Sequence, residues 1–138
     1  PSLRGSAVID RLPTRDTIPP QNLEAEQSVL GAMLVDRAAV EKAIEIIRPE
    51  DFYREAHQRV FEAAYDLAER SEPVDLITIS DALRIRNQLD QVGGVSYLAT
   101  LADMVPTTSN VEYYARIVEQ KAIMRRLIEA ASRISGWG

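Results

Sequence analysis

The sequence predicts an all-α fold, and three observations carry that prediction. Apolar residues recur at spacings of three and four through successive segments of the 138-residue chain. Proline, glycine and capping residues separate those segments, where helices must stop and restart. The most strand-like run, VDLITI at 74–79, passes into SDALRIR, which continues at helical period.

The first 19 residues mix Pro, Gly, Ser and charges without periodicity and read as an N-terminal tail. Residues 20–106 read as a helical globular subdomain, and 107–138 as a long helix of a different kind. Within the globule, Asn22 suits the N-cap of a helix carrying Leu23, Leu30, Met33 and Leu34 to about Val35, with Gly31 set for close packing. Asp36 can cap a second helix through Val40, Ala43, Ile44 and Ile47. Pro49 ends it, because the residue before a proline is pushed out of helical geometry. Pro49, Glu50 and Asp51 suit one short turn carrying Phe52 and Tyr53. A helix to about Arg70 follows, with the stripe Ala56, Val60, Phe61, Ala64, Leu67 and Ala68. Asp75 or Thr78 can cap the next helix, which presents Leu76, Ile79, Ala82 and Leu83.

Asn87 to Gly94 carries turn chemistry, with Asn87 near a helix end and Gly93 and Gly94 able to take positive φ. A short helix from Val95 to about Met104 then buries Leu98 and Leu101. Pro106 breaks the chain, and Ser109 or Asn110 can cap the last helix, from Val111 to about Ile134. There, Tyr114, Ile117, Lys121, Met124, Ile128 and Ala131 follow the spacing of a seam packed lengthwise on another helix, widened by Val118, Ile123 and Leu127. Some 24 residues at about 1.5 Å each extend roughly 36 Å, so this helix is expected to project. A projecting apolar seam needs a cover, from a second copy or from a continuation of the chain.

With 46% apolar residues the chain can bury a core unaided. It has no cysteine, which excludes thiolate zinc sites, disulfides and cysteine nucleophiles and fits a reducing compartment. Neither a membrane-length apolar run nor a signal-peptide h-region occurs, so a cytoplasmic protein is expected. The net charge of −5 argues against a domain that coats nucleic acid. The charge is uneven, with 11 basic and 18 acidic residues up to 110 but five and three after it.

His57 is the only histidine, and a metal site or catalytic base would need partners that the sequence does not supply. It is expected to be structural, bonded to a carbonyl or carboxylate near the 49–53 turn that Pro49 and Phe52 shape. Glu24 with Glu26, and Glu50 with Asp51, sit at helix starts, where carboxylates offset the dipole. Gly93 and Gly94 read as a turn; no P-loop or dinucleotide fingerprint occurs. Arg125 and Arg126, with Lys121 and Arg133, are interrupted by Glu119 and Glu129, which favours a solvated or partner-facing surface over a nucleic-acid patch. Trp137 reads as a partner contact or the mark of a terminus. No catalytic, cofactor-binding or metal-binding residue is assigned; the expected subunit or partner interface is Tyr114, Ile117, Lys121, Met124 and Ile128.

Three segments go beyond physics. IPPQNLEAEQSVLGAMLVD at 18–36, RPEDFYREAHQRVFEAAYDLAERSEPVDLITISDAL at 48–83 and GGVSYLATLADMVPTTSNVEYYARIVEQKAIMRRLIEAA at 93–131 closely resemble the N-terminal domain of the DnaB family of bacterial replicative helicases. The resemblance covers about 18–135. It implies a small helical globule followed by a helical hairpin, of which the last helix here is the first half. It also implies a collar in a hexameric ring built as a trimer of dimers, with the helicase-binding domain of primase and a helicase loader as partners. ATP, magnesium and most DNA contacts would belong to a separate C-terminal motor, so this segment is not expected to be catalytic. The competing expectations are a freestanding helical adaptor of the same fold and a small enzyme centred on His57.

Overall fold

A computed structural model describes residues 18–105 and 107–137. Six α-helices and two short 3-10 turns account for its regular structure, with no strand among the described residues. The helices are α1 (Leu23–Val35), α2 (Arg37–Ile46), α3 (Glu55–Glu69), α4 (Leu76–Ile85), α5 (Gly94–Met104) and α6 (Val111–Trp137), with the turns at Pro49–Asp51 and Thr108–Asn110. The all-α expectation holds. The expected tail falls outside the described residues up to 17, as do Pro106 and the side chain of Trp137.

The globule is organised around α1, which packs against α2, α3, α5 and α6. Ala25, Glu26, Val29, Leu30, Gly31, Ala32, Met33 and Leu34 are all buried, so this helix is enclosed on nearly every side rather than along one stripe. Asn22 caps it, its side chain accepting from the Ala25 amide at 3.0 Å. Gly31 faces α5 so closely that a Cβ there would lie 2.2 Å from the Leu101 carbonyl oxygen. The two backbones touch, and no side chain fits between them.

Asp36 is the whole link between α1 and α2. Its amide closes α1 on the Ala32 carbonyl at 2.9 Å, while its carboxylate accepts from the Ala38 amide at 2.9 Å to open α2. Hydrogen bonds from the Thr108 hydroxyl and then the Ala38 amide hold this carboxyl below its ordinary range. A carboxyl whose folded pKa is depressed stabilises the fold above the unfolded value, and that contribution disappears as pH falls through the carboxylate range. Asp36→Asn should therefore flatten the acid limb of stability, seen as converging melting temperatures of the two proteins between about pH 5 and pH 3.

Asp75 caps α4 in a reciprocal box. Its carboxylate accepts from the Thr78 amide at 2.9 Å, and the Thr78 hydroxyl accepts from the Asp75 amide at 2.9 Å. This box, together with the fully buried Ile79 and Leu83, explains why the β-branched run is helical. Asp75→Ala should cost about 1 kcal/mol in chemical denaturation. At the other end of α4, Asn87 takes φ 58° while the next amide, that of Gln88, bonds back to the Leu83 carbonyl at 2.8 Å. Gly93, at φ 108°, opens α5 in a backbone conformation that side chains rarely adopt. Thr107 caps the turn before α6, accepting from the Ser109 amide.

The expectation that the last helix projects needs dividing. The first half of α6 lies on α1 and α2 through Val111, Ala115, Val118 and Ala122, all buried. Tyr114 and Ile117 flank that seam, half-buried against the core. Lys121 and Ile128 are half-buried, and Met124 is exposed. The face that α6 turns to its own globule is thus one residue round from the seam expected to meet another helix, and it uses two alanines that hydrophobicity alone passes over. Beyond Ala122, Ile123, Leu127 and Ile134 are uncovered.

Candidate functional site

The most concentrated polar chemistry lies inside the globule, where α1, α3 and α5 meet. Glu26 is only 2% exposed, and His57 is fully buried. The Glu26 carboxylate accepts from the Tyr53 amide at 2.6 Å and the Arg54 amide at 3.4 Å, and it lies 2.7 Å from His57 Nδ1. On the far side of the ring, His57 Nε2 lies 2.7 Å from the Tyr97 hydroxyl, to which Gln27 donates its side-chain amide at 3.2 Å. With a neutral imidazole, Nδ1–H donates to Glu26 and Nε2 accepts the Tyr97 proton, so every group has a partner. The imidazole stacks on the Tyr97 ring at 6.0 Å and meets the Phe52 ring edge-on at 6.4 Å.

Local sequence explains why the parts meet. Arg54, at the start of α3, makes no side-chain cap, and the two amides just ahead of the helix, those of Tyr53 and Arg54, turn to an acceptor from elsewhere. Glu26 supplies it from α1, 27 residues earlier, and places its charge against the positive end of α3. Glu24 and Glu26 both lie in the first turn of α1, as expected, and Glu26 is shared with the start of α3. Glu24 is exposed. The carboxylate beside His57 comes from α1 rather than from the 49–53 turn, although the turn's Tyr53 amide shares it. Pro49 opens that turn, and Phe52 is buried on Phe61 with centroids 5.1 Å apart.

The connectivity Glu26–His57–Tyr97 resembles an acid–base relay. Its occupancy argues otherwise, since both imidazole nitrogens are bonded inside a closed core and no lone pair remains for a substrate or metal. Among the described residues, no group of three or more His, Cys, Asp or Glu could hold a metal ion. His57→Asn keeps at most one of the two bonds and should lower stability by about 1–3 kcal/mol in urea titrations.

A second cluster surrounds the first. Arg125, on α6, donates to the Pro20 carbonyl at 2.8 Å and the Asp51 carbonyl at 2.7 Å, and its guanidinium lies 5.5 Å from the Tyr53 ring centre. Burial lowers the pKa of this guanidinium, and the nearby Glu26 carboxylate raises it. Arg126 pairs with the buried Asp51 carboxylate, which also accepts from the Arg48 amide at 2.8 Å. Both arginines bond within the chain, while the Arg126 side chain stays 54% exposed, in keeping with a solvated surface. Sequence reasoning missed these bonds because their acceptors are mostly backbone carbonyls about 75 to 105 residues away. Arg133 pairs with Glu129.

Among the exposed residues of α6 several are large and apolar. Tyr113, Ile123, Leu127 and Ile134 are 68%, 46%, 65% and 63% exposed along α6, with Met124 beside them. No described helix is long and apolar enough to cross a membrane.

Fold and site together define a helical scaffold domain with a closed polar centre and an uncovered helix face. The chain belongs to the DnaB family: the model of the DnaB-like helicase N-terminal domain matches residues 18–120. The replicative DNA helicase DnaB of Geobacillus stearothermophilus is 58% identical over 120 residues, which are 87% of this chain and 26% of that protein. The chain thus spans about a quarter of the length of that relative. The crystal structure of the N-terminal domain of DnaB helicase from Mycobacterium tuberculosis superposes with a TM-score of 0.85 at 50% identity, covering 88% of each chain. A DnaB-like replicative helicase, whose structure was described with its interactions with primase, matches with a TM-score of 0.72 at 30% identity over 83% of this chain and 27% of that one.

Proposed function

We propose that this chain is the N-terminal assembly and recruitment domain of a hexameric, ATP-dependent replicative DNA helicase. It builds part of the ring's collar and docks primase. The observation that carries this reading is the match to solved DnaB N-terminal domains across nearly the whole described fold. The uncovered apolar residues of α6 supply a physical reason for assembly, since a helix pairing lengthwise with a second one would cover them. Docking of primase rests on the DnaB-like helicase whose interactions with primase were described. ATP hydrolysis and DNA unwinding belong to a motor domain with its own P-loop, a motif absent from these 138 residues. A helicase loader and a trimer-of-dimers ring complete the proposal.

Similarity to replicative helicases disfavours the freestanding adaptor. The closed network around His57 disfavours the small enzyme. Self-association tests the assembly half. A chain extended through a second hairpin helix should sediment as a dimer or larger species at tens of micromolar, and a strict monomer would contradict it. Within that interface, Leu127→Glu should weaken association at least about tenfold, by burying a charge without a partner.

A further inference from the structure

Arg125 and Arg126 stand where α6 stops being packed. Before them the helix rests on Val111, Ala115, Val118 and Ala122, and no apolar side chain after Ala122 is buried among the described residues. A seam of valines and alanines is shallow, with little interdigitation to set a crossing angle. The next contacts on α6 are polar. Arg125 bridges the Pro20 and Asp51 carbonyls against the face of Tyr53, and Arg126 holds the Asp51 carboxylate. The receiving surface is rigid. The Asp51 carboxylate is tied to the Arg48 amide, and the Tyr53 amide to Glu26.

We propose that Arg125 and Arg126 are positioning residues that set the angle at which α6 leaves the globule, forming a polar clamp that opens without unfolding either part. Opening returns the two carbonyls to water, which replaces most of what each hydrogen bond contributes. The side chain of Arg126 is 54% exposed, so its ion pair is screened and cheap to part. Asp51 keeps its bond to the Arg48 amide when the clamp opens, and Glu26 keeps its three partners inside the globule. The stretch from Val111 to Ala122 stays seated and serves as the pivot. This inference concerns the chain by itself and stands whether or not primase binds.

The chain lacks cysteine, so two spin labels can be placed freely. Glu69→Cys at the end of α3 and Ser132→Cys on the distal part of α6 are both at exposed positions. Electron–electron double resonance on the otherwise unchanged chain should give one narrow distance distribution. In the double variant Arg125→Gln, Arg126→Gln, the ratio of lifted to seated helices should rise about tenfold with helicity by circular dichroism unchanged. Arg125→Lys keeps the charge but not the fork that spans two carbonyls, and should fall between the two. An unchanged narrow distribution in a folded double variant overturns the proposal. So does loss of helicity in both the double variant and Arg125→Lys, which would make the pair part of the core instead of a clamp.

Discussion

Glu26→Ala should destabilise the domain by about 2–4 kcal/mol, the largest loss expected from any single polar side chain. Three donors converge on that carboxylate: the Tyr53 amide, the Arg54 amide and His57 Nδ1. Removing the acceptor leaves His57 Nδ1–H unpaired in the core, at about 1–3 kcal/mol, and takes a charged partner from the Tyr53 and Arg54 amides at its edge. Against a typical total of about 5–15 kcal/mol, the loss could consume much of the domain's stability. Glu26→Gln separates shape from charge. It can still accept from Tyr53 but presents an amide to His57 if oriented that way, so it should lose about 1–3 kcal/mol. Urea titration followed by circular dichroism measures both. Equal and small losses would show that the network contributes little.

Gly31→Ala should cost at least about 3 kcal/mol, at the upper end of overpacking penalties. The added carbon would sit 2.2 Å from the Leu101 carbonyl oxygen and 3.1 Å from its carbon. Both atoms are backbone, so the strain cannot be relieved by a rotamer and α5 must move away from α1. Displacing α5 would also carry Tyr97 away from His57. Gly94→Ala is the matched control: it has open space around it, and its cost of about 1 kcal/mol arises from its φ of 74° alone. Thermal melts that rank the two variants in the opposite order would contradict the backbone-contact account.

These two sites also show where sequence reading reaches its limit. Gly31 was legible as a point of close packing because a glycine inside a helical pattern has few other uses, but the partner, Leu101, lies 70 residues away. Asn22, Asp36 and Asp75 were legible as caps since a cap and the amide it serves are neighbours in sequence. His57 was legible as structural because the sequence offers no second histidine or nucleophile for it to work with. Glu26 was not paired with it, because nothing local distinguishes a carboxylate serving its own helix from one serving another. The inward face of α6 is hard to read for a related reason. Hydrophobicity ranks Tyr114 and Ile117 above Ala115 and Ala122, whereas contact at short range favours the small residues. The clamp formed by Arg125 and Arg126 was invisible, since backbone acceptors such as the carbonyls of Pro20 and Asp51 carry no sequence signature.

Recruitment of primase is tested by light scattering of this chain with and without the helicase-binding domain of primase. A complex whose mass is the sum of both components, at tens of micromolar and moderate salt, is the predicted result. Two species that each keep their own mass at that concentration would contradict it.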